Sequence, residues 1–140
     1  MSEADIRVAL RFMQAMSTND AKLADGCLAA DAVAIARGHG NFAGERPRAT
    51  MIGAIAAFEE LMPGGLNFTI GNVTAGGGRV AVEAEGNAVT ASGVPYRNHY
   101  CFVMTIRDGK VAQVNEYFCT RHADEVLWPL FSAAGIDEAR

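Results

Sequence analysis

Glu116 is the side chain best placed to do chemistry in this sequence. It sits in the run Val111-Ala112-Gln113-Val114-Asn115-Glu116-Tyr117-Phe118, where steps of two put Val114, Glu116 and Phe118 on one strand face. A carboxylate between two apolar residues on such a face is costly unless it has a partner or a task. Burial would lift its pKa from about 4.3 towards neutrality and make it a usable general acid or base. The competing account is a carboxylate that faces solvent at an edge or is held by an arginine. A second run, Tyr96 to Ile106, puts Asn98, Tyr100, Phe102, Met104 and Ile106 on one face. Asn98 and Tyr100 could bind a substrate carbonyl, hold Glu116 in place, or satisfy polar groups in the core. Phe118 would add an apolar wall to the same pocket.

Two further carboxylates, Glu83 and Glu85, share a strand face opposite Val80, Val82 and Ala84. If that face lines the pocket, they converge with Glu116, and like charges in a dry site cannot all ionise. One acid and one base would result, which suits proton transfer or cyclisation. Otherwise the pair belongs to an exposed polar face. Arg37 and His39 lie in a glycine-rich loop, where a histidine serves as a proton shuttle or stays in solvent. Gly38, Gly40 and Gly44 have the wrong spacing for a dinucleotide fingerprint. No Gly-x-Ser-x-Gly occurs, so no nucleophile elbow is expected.

These side chains need a sheet to carry them. Asp108-Gly109 between the two runs signals a tight hairpin. Leu66 to Thr74 and Arg79 to Val89 read as two more strands, with Gly76-Gly77-Gly78 between them. Ile6, Leu10 and Met13 recur at helical spacing over about residues 3 to 16. Asp20 can cap a short second helix bearing Leu23, Cys27 and Leu28, and Ala32 to Ala36 reads as a short strand. Pro47 opens a third helix carrying Met51, Ile52, Ile55, Phe58 and Met62, which Pro63-Gly64-Gly65 stops. Arg121 to Leu127 is expected to form a short closing helix, with Trp128, Leu130 and Phe131 as an apolar lid. Helices first and strands afterwards imply an α+β fold, a curved antiparallel sheet with helices on its concave face around a pocket.

The composition narrows the partners. A chain of 140 residues, half of them apolar, is the size of one domain with a real core. A net charge of −4 without a basic cluster speaks against nucleic acid and anionic membranes, Arg46-Pro47-Arg48 being too small a patch. No apolar run approaches a membrane span, and the start of the chain does not read as a signal peptide. Cys27, Cys101 and Cys119 read as reduced thiols of a cytoplasmic protein. His39, His99 and His122 are far apart in the sequence, so neither a metal nor another cofactor is expected.

The order of elements, Tyr96-x-Asn98-x-Tyr100, the Asp108-Gly109-Lys110 turn and Glu116-Tyr117 together resemble the nuclear transport factor 2-like superfamily. Within it they resemble the SnoaL-like group of polyketide cyclases, ketosteroid isomerases and limonene epoxide hydrolase. The resemblance runs over nearly the whole chain and implies one SnoaL-like domain, residues 1–140, with a cone-shaped pocket. It implies a small hydrophobic, polyketide-, terpenoid- or steroid-like ligand and cofactor-independent isomerisation, cyclisation or hydrolysis. It also implies a homodimer through the outer sheet face, which holds Val103 and Thr105. A non-catalytic ligand-binding or dimerisation module is equally at home in this fold. In the epoxide hydrolase a catalytic Asp precedes Tyr-Phe on the last strand, and its counterpart here is Glu116 before Tyr117-Phe118. Its Arg and Asp, two apart on an earlier strand, fall on Glu83 and Glu85, so the arginine is replaced by the opposite charge. Its water-holding Tyr and Asn fall near Ala34 and Ala36, and Cys119 stands where many SnoaL-like sequences have Asp. Epoxide hydrolysis is therefore not expected. The ketosteroid isomerases pair an Asp base with a Tyr-containing oxyanion hole; the parts here are Glu116 or Glu85 as base and Tyr100 as donor.

Overall fold

The computed structural model describes residues 2–135. Helix α1 (Ser2–Ser17) buries Ala9, Phe12, Met13 and Met16, the apolar stripe of its sequence. Asp20 caps α2 (Ala21–Cys27) by accepting from the Leu23 N–H at 2.9 Å. Strands β1 (Leu28–Ala36) and β2 (Gly44–Pro47) follow, then α3 (Arg48–Leu61). The remaining strands are β3 (Thr69–Gly76), β4 (Arg79–Val89), β5 (Pro95–Arg107) and β6 (Lys110–Phe118). Two short helices, α4 (Thr120–Val126) and α5 (Trp128–Ala134), close the described part. Among the described residues no helix is long and apolar enough to cross a membrane.

The six strands form one open, curved sheet in the order β2-β1-β6-β5-β4-β3. The sheet was expected to be antiparallel throughout; four of its neighbouring pairs are, but β1 lies parallel to β6, so the sheet is mixed. Parallel neighbours need a long crossover, and everything from β2 to β5 supplies it. Strand β2 was expected as loop and helix start. It is a four-residue edge strand antiparallel to β1, and its proline sits at its end, where a missing N–H costs no ladder bond. Asp108 (φ 53°) and Gly109 (φ 74°) both adopt the left-handed conformation that a two-residue hairpin turn requires.

Helix α1 packs across β3 to β6, and α3 packs against β1 and β2. They cover the face that carries Val80, Val82, Met104 and Val114, all fully buried. A second, smaller cluster of Met62, Leu66, Tyr96, Leu127 and Phe131 forms where α4 and α5 fold over the end of β5. Tyr100 and Phe68 touch both clusters.

Candidate active site

The strand register carries a row of side chains across the inner face. Val82 pairs with Phe102, Phe102 with Glu116, and Glu116 with Ala36. The next row runs Ala84, Tyr100, Phe118, and the row on the other side links Met104, Val114, Ala34 and Arg46. Ala34 and Ala36 are too small to fill the space above β1, and Ala54 on α3 is equally small. A cavity of about 130 Å³ remains, lined by Glu116, Arg46, Tyr96, Tyr100 and otherwise apolar groups. Phe42, from the loop after β1, closes one side, with its ring edge-on to Trp128 and Phe131 at 5.2 Å each. That loop is tied down by the Asn41 N–H, which donates to Asp124 Oδ1 of α4 at 2.9 Å.

The tyrosines are joined. Tyr96 Oη and Tyr100 Oη lie 2.8 Å apart, and Asn98 Nδ2 donates to Tyr96 Oη at 2.8 Å. The His122 ring stacks on Tyr96 with centroids 5.2 Å apart, and Phe68, Phe102 and Phe118 pack around Tyr100. Gly86 makes room for this ring, since a Cβ there would stand 3.1 Å from Tyr100 Cε1. Arg46 is only 7 % exposed, and both it and Glu116 engage partners. Among the described residues no group of three or more His, Cys, Asp or Glu is placed to hold a metal ion.

A family model for the SnoaL-like domain matches residues 9–114. The chain belongs to the SnoaL-like domain family. Solved structures similar to it include an NTF2-like protein from Burkholderia xenovorans LB400, with 22 % identity over 90 % of this chain and 97 % of that one, at a TM-score of 0.68. An LEH-like epoxide hydrolase of M. tuberculosis is similar over 96 % of this chain and 97 % of its own, with 18 % identity and a TM-score of 0.72. The protein Bal32a from a soil-derived mobile gene cassette shows 19 % identity over 89 % and 97 %, with a TM-score of 0.77. No curated protein sequence matches the chain. Identities at this level speak for the nuclear transport factor 2-like fold and for nothing finer. The family match ends at residue 114, just before Glu116.

The SnoaL-like domain brings only some of the expected site residues together. Glu116, Tyr100 and Phe118 line the cavity. Asn98 is buried behind Tyr96 and does not line it. Glu83 and Glu85 do not reach the cavity. Their strand alternates as expected, but α1 covers the Val80–Val82–Ala84 side, so both carboxylates point outward. Glu83 accepts from Asn72 Nδ2 at 3.0 Å, and Glu85 stands 3.8 Å from Arg97 in a surface ion pair. Of the two readings left open for this pair, the geometry agrees with the exposed polar face: Glu116 lines the cavity, whereas Glu85 as a catalytic candidate and Glu83 as a binding one are corrected. Arg37 and His39 are exposed, and Arg37 donates to Asn115 Oδ1 at 3.0 Å rather than facing the cavity. Arg46 and Tyr96 were missed. Tyr96 shares the parity of Asn98 and Tyr100, a signal that was present. Arg46 had only its place in a four-residue strand to reveal it, and beside Arg48 it read as surface charge.

Burial pushes the Tyr96 hydroxyl above the ordinary tyrosine pKa. Burial first, and then the charges of Tyr96 and Glu116, hold Tyr100 well above it. A folded pKa above the unfolded value means stability that is complete below the unfolded pKa and lost as pH rises through the folded one. In Tyr117→Phe, where Tyr96 and Tyr100 are the only tyrosines left, tyrosinate absorbance should therefore appear only above about pH 10, with unfolding. Reversible ionisation below that pH in the folded protein would contradict the buried pair. Burial likewise raises the Cys27 and Cys101 thiols, which keeps both protonated and poor nucleophiles at neutral pH.

Proposed function

We propose that this SnoaL-like domain binds a small, neutral, largely apolar molecule with one oxygen function and moves a proton on it. The observation that carries the reading is a single carboxylate and a tyrosine hydroxyl on adjacent rows of an otherwise apolar cavity, with a buried arginine on the same wall. Arg46 and Glu116, of opposite formal charge, balance each other in the lining, which favours an uncharged guest. The cavity is close to the roughly 150 Å³ that accepts benzene in an engineered core, so one ring fits better than the four of a steroid.

With a cyclic enone precursor the chemistry is an isomerisation. Glu116 takes a proton from the carbon next to the carbonyl, and the C–H electron pair becomes the C=C of a dienolate. Its oxygen is held by the Tyr100 O–H, and Glu116, its proton exchanging with solvent, delivers a proton to the far carbon to give the conjugated ketone. No atoms are gained or lost, and the scheme calls for no cofactor. Two-carboxylate epoxide hydrolysis is less well supported, because Glu85 stands on the outer face. We place this single domain in the cytoplasm, a reading supported by three unpaired cysteines. The outer face carries Val103, Thr105 and Tyr117 beside charges of both signs, Glu83, Glu85 and Arg97, which supports a homodimer through that face.

The test is a β,γ-unsaturated cyclohexenone in deuterium oxide, followed by proton NMR. Conversion to the conjugated isomer with deuterium on the ring, saturable in substrate, is expected. Binding of one-ring ketones without isomerisation or exchange would favour a ligand-binding module, and no binding at all would sink both readings.

A further inference from the structure

Asn98 could have touched substrate or satisfied polar groups in the core, and every hydrogen-bonding position of its amide is filled within the protein. Its Oδ1 accepts from the His99 N–H at 2.8 Å and from the Cys119 N–H at 3.1 Å. Its Nδ2 donates to the Cys119 carbonyl at 3.0 Å and to Tyr96 Oη at 2.8 Å. A flipped amide would set its NH₂ against two backbone N–H donors, so the backbone alone fixes which end faces Tyr96. Tyr96 Oη must therefore accept from Asn98. The 2.8 Å between Tyr96 Oη and Tyr100 Oη lets either hydroxyl donate, and with a lone pair already taken by Asn98, Tyr96 is the better donor of the two. Tyr100 Oη receives that bond and keeps its own proton for the cavity it lines.

We infer that Asn98 is a positioning residue: it sets the direction of a relay, Asn98 to Tyr96 to Tyr100, so that Tyr100 meets the ligand as a donor. The inference rests on the proposed reading of the cavity and names its specificity. The guest must present an acceptor, such as a carbonyl or an enolate oxygen, at Tyr100. Each bond in such a chain polarises the next, which strengthens the terminal donor. The reverse relay would leave Tyr100 donating to Tyr96 and offering only a lone pair to the ligand.

Benzaldehyde tests this without turnover, because it fits a one-ring cavity, has no enolisable proton and carries a carbonyl stretch readable by infrared difference spectroscopy. Toluene is the control without an acceptor. In the wild type the bound carbonyl stretch should move to lower frequency, and the preference for benzaldehyde over toluene should exceed that of Tyr100→Phe about tenfold. Asn98→Asp keeps the shape but, ionised at about pH 8, can only accept from Tyr96. The relay then reverses. The frequency shift and the benzaldehyde preference should fall to the Tyr100→Phe level, while toluene affinity is kept.

If Asn98→Asp does not fold, Tyr96→Phe decides the direction by the sign of its effect. Loss of a donor to Tyr100 weakens the carbonyl shift, as inferred here. Release of Tyr100 from donating to Tyr96 would strengthen the shift, and that result overturns the relay. A full wild-type shift in folded Asn98→Asp would also overturn it, leaving the cavity reading intact. A wild type with no Tyr100-dependent shift would bring down the cavity reading and the relay together.

Discussion

Glu116→Gln should slow isomerisation and deuterium exchange about a hundred- to ten-thousand-fold, the range lost with a general acid–base group. That is roughly 3–5 kcal/mol on the barrier. Glutamine matches the carboxylate in volume and can still accept one hydrogen bond, but it cannot take a proton from carbon. Toluene binding should stay within a few-fold of wild type, since the apolar walls are untouched. Glu85→Gln is the matched control. Its side chain is on the outer face, 3.8 Å from Arg97, and its removal should leave the rate within about twofold and stability within about 0.5 kcal/mol. Rates and circular dichroism of both variants check this. Exchange by Glu116→Gln at nearly the wild-type rate would remove Glu116 from the chemistry, however well the ligand bound.

Gly65→Ala should cost about 3 kcal/mol or more, read as a fall in the denaturation midpoint with an unchanged slope. Gly65 ends the turn after α3, with its N–H donating to Met62 O at 2.8 Å and its φ at +77°. A left-handed conformation alone costs an alanine about 1–2 kcal/mol. A Cβ there would also lie 2.1 Å from the Ser17 carbonyl oxygen, so backbone must move. The same stretch of α1 anchors the start of the sheet. Ser17 O accepts from the Asn67 N–H at 3.3 Å, and Ser17 Oγ accepts from the Phe68 N–H at 2.9 Å. Phe68 in turn packs edge-on to Tyr100 at 5.2 Å, so the damage should reach the cavity and weaken toluene binding too. Gly64→Ala, in an exposed position with Asn67 Nδ2 no nearer than 3.9 Å, should be neutral or stabilising by about 0.4–1 kcal/mol. Equal losses in both variants would contradict the close approach of this turn to α1.

Local periodicity made much of the site readable. Alternation on either side of Asp108-Gly109 placed Tyr100, Phe102, Val114, Glu116 and Phe118 on one face, because a strand's side chains alternate whatever it packs against. The register slips between Thr105 and Ile106, where Val111 and Ala112 are both buried, but the slip lies before Val114 and leaves Glu116 in phase. The fold class followed from helices preceding strands, and the resemblance drawn from the same residues agrees with the family match.

What the sequence determined by itself was therefore which residues share a face. Tertiary structure alone decided which face is the inside. Glu83 and Glu85 show the difference, since their pairing on one face was legible and their exposure was not. Their orientation depends on α1 covering the opposite side of β4, a contact between segments more than sixty residues apart. Arg46 entered the cavity only because the short β2 pairs with β1, and Glu116 met Ala36 only because β1 lies parallel to β6. Such pairings leave no periodic trace in either strand. They are settled by the burial available once the whole sheet and its covering helices have assembled.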